Sequence, residues 1–178
     1  DHLPSRRGRY EFLRRVIQGA QQIGGLLAGA MSRTAAYDFV RLGHYLERAD
    51  MTTRILDVRS ANLLSRARQS QSQSQSQVQT QTSAAAPEEQ DPFDSIQWMS
   101  VLKSLSAYQM YRQQVRVRVN GPDVLKFLLQ DEYFPRAVAF CLRQLEICLR
   151  KLPRHDAALA ALAALRQKLN AAAVPELT

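Results

Sequence analysis

Apolar positions recur along this chain at three- and four-residue spacing, and no segment sustains a strand-like alternation. Tyr10, Leu13, Ile17, Ala20, Leu27 and Met31 form one stripe and predict a helix over 7–30. Gly19, Gly24, Gly25 and Gly29 interrupt it, which suits a kink or the close approach of another helix. Ser32 is a plausible N-cap for a second helix over 32–68. Asp91-Pro92 opens a third, 92–119, faced by Phe93, Ile96, Met99, Leu102 and Leu105. Asn120-Gly121 ends it, and Pro122 begins a short helix over 122–130. Pro135 opens 135–152, with Val138, Leu142, Leu145, Leu149 and Leu152 at near-heptad spacing. Beyond Pro153, Leu159, Leu162, Leu165 and Leu169 mark a last helix over 155–171. The pattern predicts an all-α, mostly antiparallel helical bundle of about six helices.

The second helix carries the most information. At 100° per residue, Leu42, Tyr45, Leu46, Ala49, Thr52 and Leu56 share one arc, into which Asp38 projects. Tyr37, Val40, Met51, Ile55 and Val58 share another. A helix apolar on nearly all sides is central to its bundle. Its charges must then be paired, because a stranded buried charge costs several kcal/mol. Arg33, Asp38, Arg41, Glu47, Arg48, Asp50 and Arg54 are therefore expected to form a polar network or bind a ligand or partner. Glu47 and Arg48 are adjacent and diverge by about 100°, so each needs partners elsewhere. Arg48 should meet a carboxylate or a helix-end carbonyl of another helix. Glu47 should meet an Arg from Arg33, Arg112, Arg116 or Arg136. Asp50 and Arg54 form an i, i+4 pair in the favourable order.

Residues 69–87 are Gln-Ser and Gln-Thr repeats ending in Ala-Ala-Ala-Pro, with almost nothing to bury. The composition predicts a flexible surface loop inside one helical domain spanning 1–178.

Charge adds a possible partner class. The net charge is +8, with 20 Arg against 4 Lys. Arg6, Arg7, Arg9, Arg14 and Arg15 cluster, as do Arg112, Arg116 and Arg118. No zinc pattern, RNA-binding sheet signature or helix-turn-helix accompanies them, so an acidic protein partner fits better than nucleic acid. Trp98, Arg112, Arg116 and Arg136 are the interface candidates.

Little points to catalysis. The three histidines, His2, His44 and His155, are scattered, and no strained nucleophile turn or phosphate loop is visible. A di-metal bundle site would want Glu-x-x-His, but Glu47 is followed by Asp50, beside repelling Arg48 and Arg54. No metal or cofactor is expected. Cys141 and Cys148 lie two turns apart, beyond disulfide reach, and read as buried free thiols. The best apolar run, Ile23 to Met31, is too short to span a membrane. Gln18, Gln21 and Gln22 spoil the signal-peptide likeness of the segment before it. A cytoplasmic location follows as the expectation.

Three motifs carry a family resemblance. Ser32-Arg33-Thr34 leads into Leu42-Gly43-His44-Tyr45-Leu46-Glu47-Arg48-Ala49-Asp50 and Thr53-Arg54-Ile55-Leu56-Asp57. Gln97-Trp98-Met99-Ser100-Val101-Leu102-Lys103 and Phe134-Pro135-Arg136-Ala137-Val138-Ala139-Phe140-Cys141-Leu142 follow in order. Over roughly residues 1 to 152, the chain resembles the alpha-E family, an all-helical bacterial family named for its Glu-Arg motif. The third motif usually has Ser where Ala137 stands. The family domain is usually longer and carries the Glu-Arg segment twice, so this chain resembles its C-terminal part. Exposed apolar surface or a homo-oligomer would follow. The resemblance implies partnership with a circularly permuted ATP-grasp protein, neighbouring or fused. The chain would then be a non-catalytic module supporting an amide or peptide ligase. The alternatives are an enzyme with a site around Arg33, Asp38, Glu47 and Arg48, and a basic nucleic-acid-binding domain.

Overall fold

The computed structural model describes residues 5–74, 92–115 and 118–172, and every regular element among them is a helix. The first, α1, spans Arg6–Ala30 and starts where the Ser5 hydroxyl accepts the Gly8 N–H at 3.1 Å. The second, α2, spans Ala35–Ser74. It thus runs through residues 69–74, which the composition assigns to a loop, while 75–87 lie outside the described residues.

The expected helix over 92–119 is two, α3 (Pro92–Ser104) and α4 (Tyr108–Gln114). Between them Ser106 adopts a left-handed φ of 52°. Its N–H donates to the Lys103 carbonyl at 3.0 Å, and Ala107 N–H to the Leu102 carbonyl at 2.7 Å. That pair of bonds is a Schellman stop, normally built on glycine.

Asn120 caps α5 (Gly121–Gln130), accepting the Asp123 N–H at 2.8 Å and donating to its carboxylate at 2.7 Å. Asp131 then accepts from the N–H groups of Tyr133 and Phe134. That turn holds the chain out of helix through Pro135, so α6 runs over Val138–Leu149 rather than from residue 135. The last helix, α7, spans Asp156–Ala171.

The helices α2 and α6 form the principal pairing, with α7 and α5 on the other sides of α6 and α3 against α5. One core cluster joins Trp98, Leu102, Leu105, Tyr111, Val124 and Leu128 to Leu56 of α2. A second joins Val138, Leu142, Leu145 and Leu162 to Leu42 and Tyr45. Removing their apolar surface from water, at about 25 cal/mol per Å², is the driving force for this packing.

Two expectations are corrected here. The helix α2 is covered on one side only: Val40, Met51 and Val58 are exposed, Val58 by 63%. No residue of α1 is buried, and Tyr10, Phe12, Leu13, Val16, Ile17 and Ile23 face solvent. Among the described residues, no helix is long and apolar enough to cross a membrane.

Candidate functional site: the seam between α2 and α6

Four contacts define an antiparallel seam. Ascending α2, Asp38 faces Lys151 at 3.5 Å, Arg41 donates to the Gln144 side-chain oxygen at 2.7 Å, and Arg48 donates to the Pro135 carbonyl at 3.2 Å. The Thr52 hydroxyl lies 2.9 Å from the Arg136 carbonyl and 3.0 Å from that of Arg48. Early α2 residues meet the later part of α6 and the turn just past it (Gln144, Lys151), and later ones meet the turn just before it (Pro135, Arg136), so the two helices run in opposite directions.

Helical spacing stacks cations and rings alternately along this face of α2. The Arg33 guanidinium lies 4.0 Å from the Tyr37 ring centroid, and Arg41 lies 5.8 Å from Tyr37 and 5.5 Å from Tyr45. Arg48 closes the series 5.8 Å from Tyr45. Tyr45 meets Phe140 of α6 edge to face at 6.1 Å, and Arg143 lies 5.5 Å from the Phe140 ring. Each such contact is worth about 0.5–1 kcal/mol where exposed and more where desolvated.

Arg48 has no carboxylate partner among the described residues. It donates to Pro135 and to Nε2 of His44, which must therefore be unprotonated at that nitrogen. Burial, with Arg48 and Arg136 nearby, pushes the His44 pKa down against a weaker upward pull from Glu47. Burial, together with Arg136, also lowers that of Arg48. Beneath them the Cys141 thiol, within 3.6 Å of the Pro135 carbonyl, is pushed up to about 11 by burial, which Arg48 and Arg136 only partly offset.

The other residues singled out in the sequence scatter. Glu47 is exposed and makes no hydrogen bond or ion pair with a described residue, so it meets none of Arg33, Arg112 and Arg136. Asp50 and Arg54 form their i, i+4 pair at 2.8 Å, both exposed. Arg33 binds the Ala28 carbonyl at the end of α1, away from Glu47 and Arg48. Asp38 is buried against Lys151. Trp98 is 1% exposed and is a core residue, not a partner surface. Arg112 is exposed on α4, Arg136 is half-buried at the seam, and Arg116 lies outside the described residues.

Sequence reasoning passed over Arg59. It is buried, pairs with Asp94 at 2.8 Å and lies 5.4 Å from the Trp98 ring, tying α2 to α3. Its place one turn beyond Leu56 on the covered side was the available signal. Glu146 was also missed: it sits between Arg150 at 2.6 Å and Arg166 at 2.5 Å, joining α6 to α7.

Among the described residues, no group of three or more His, Cys, Asp or Glu is placed to hold a metal ion. Two open clefts, of about 540 Å³ beside Asp123, Lys126 and Asp131 and about 520 Å³ beside Glu146 and Arg166, lie away from the seam. The seam can offer guanidinium N–H groups and aromatic faces to an acidic group.

One family model matches the chain, over residues 1–178, beyond the stretch that carries the sequence motifs. Its description is a predicted alpha-helical domain with a conserved ER motif. No curated protein and no solved structure matches the chain.

Proposed function

The chain belongs to the Alpha-E family, and from that premise we propose that it is a non-catalytic binding and assembly module serving an ATP-grasp-type amide or peptide ligase. The observation that carries this reading is the seam of Arg41, Arg48 and Arg136 around Tyr45 and Phe140, in which Arg48 meets no carboxylate among the described residues. Arginine and tyrosine dominate the binding energy of protein interfaces because they combine large contact area with directed donors. A guanidinium using only some of its five N–H groups internally retains donors for an acidic side chain or chain terminus. The partner this suits is an acidic surface on a circularly permuted ATP-grasp protein, with both proteins in the cytoplasm.

An enzymatic site around Arg33, Asp38, Glu47 and Arg48 finds less support. Asp38 is committed to Lys151, Arg33 to the end of α1, and Glu47 faces away from Arg48. The test is co-purification with the neighbouring or fused ATP-grasp protein, then ATP consumption with and without this chain. Binding that stimulates turnover, and is weakened by Arg136→Glu, is the expected result. ATP or amide-bond turnover by the purified chain alone, abolished by Glu47→Ala, would overturn the reading.

A further inference from the structure

Two uncovered surfaces of this molecule match each other. On α1, Leu13, Val16, Ala20, Ile23 and Leu27 follow the alternating three- and four-residue spacing of a helix–helix seam. None of them is buried. On the open side of α2, Phe39, Gly43, Leu46, Asp50 and Asp57 share one face, all exposed.

Lay the two faces antiparallel, with the end of α1 beside the start of α2. Leu27 then falls opposite Phe39, Ile23 opposite Gly43, Ala20 opposite Leu46, and Arg9 opposite Asp57. Large side chains meet small ones at two successive levels, which is how helix ridges fill grooves. Gly43 gains a reason. A side chain there would meet nothing within 4 Å in the single chain, so no neighbour in that chain requires a helix-weakening glycine. Charge matches as well. Arg9 shares the seam face of α1 and falls opposite Asp57, which makes no ion pair among the described residues, whereas Asp50 is already paired with Arg54.

A chain does not close this face with its own α1. Arg33 donates to the Ala28 carbonyl in the last turn of α1 and stacks 4.0 Å from Tyr37 in the first turn of α2. It bridges the elbow at residues 31–34, and α1 leaves none of its residues buried against the bundle.

We propose that two copies of this chain exchange α1, each first helix lying antiparallel along the open face of the partner's α2. The exchange is isologous, as a two-fold dimer requires. It leaves the α2–α6 seam untouched, so it stands or falls separately from the ligase reading.

Sedimentation equilibrium of the full chain should show a dimer. Arg9→Asp and Asp57→Arg should each raise the dimer Kd by about tenfold or more, and the double exchange should restore it. Both positions are exposed, so circular dichroism should show unchanged helix content. In an Ile23→Cys, Gly43→Cys variant, oxidation should give a covalent dimer on a non-reducing gel. A monomer at all concentrations would overturn the proposal. So would a cross-link within one chain, or a dimer indifferent to both charge reversals.

Discussion

The Nε1–Cε2–Cζ2 side of the Trp98 indole lies against Gly121: a Cβ on residue 121 would sit 2.8 Å from the ring nitrogen and 3.1 Å from Cε2. Gly121 opens α5 and Trp98 fills the centre of the core between α3 and α5, so this contact sets how closely the two helices approach.

Gly121→Ala should therefore destabilise the fold by about 1–3 kcal/mol, the usual cost of overpacking. Urea unfolding would measure it. Pairing the change with Trp98→Phe, which trims the ring edge, should recover part of the loss. Additive losses would show that the two residues are not coupled.

The Glu-Arg motif should divide in its effect on stability. Arg48→Ala removes the donor to the Pro135 carbonyl and a ring contact, a loss of about 1–2 kcal/mol. This is smaller than the roughly 3 kcal/mol expected for a fully buried charge, because Arg48 is half-buried and makes no ion pair among the described residues. Glu47→Gln, at an exposed position, should stay within about 0.5 kcal/mol. Equal shifts in melting temperature would refute this division.

Both thiols should be inert in the native protein. Cys141, pushed up to about 11, and Cys148, also raised by burial, hold little thiolate near neutral pH. A thiol-reactive chromogen should titrate neither before unfolding and both after it. Rapid native labelling at Cys141 would contradict its packing under the Pro135 carbonyl.

Two groups set the acid limb of stability. Burial, then Arg48 and Arg136, hold the His44 pKa below 6.5. The unfolded chain thus takes up this proton first. Stability should fall as pH drops below about 6.5, and stop falling once folded His44 is itself protonated. The hydrogen bond from Arg150 heads the causes holding Glu146 below 4.5. Its contribution is present above that value and is lost as pH falls through its lower folded value. His44→Gln should flatten only the first stage and Glu146→Gln only the second, read as melting temperature against pH.

What the sequence revealed of this fold depended on whether its signals were local. Pro122 just inside the helix start places the beginning of α5 within a residue, while Asn120, read as ending the helix before it, is in fact the cap of α5. The break at Ser106 was hidden because serine occupies a left-handed position that glycine usually marks, at a cost tertiary packing must offset. The start of α6 was displaced because the Asp131 side chain captures two backbone N–H groups, which Pro135 alone does not reveal. For the site, periodicity correctly put Tyr45, Thr52 and Leu56 on a packed face. It misread Leu46, placed on that face but exposed, and Val40, Met51 and Val58, since apolar character marks a surface fit for burial without naming what covers it. Arg48 was expected to meet a carboxylate or a helix-end carbonyl, and instead it meets the Pro135 carbonyl in the turn before α6. Arg59 was not foreseen because its partner Asp94 lies far along the chain and only the fold brings them together.

Arg48 and Glu47 share a peptide bond but not an environment, since one reaches across to Pro135 and the other projects into water. The two halves of the family's name are thus held by separate constraints. Among relatives, the arginine column should co-vary with the residues around the start of α6. The glutamate column, conserved as part of the same motif, should hold with whatever approaches from outside.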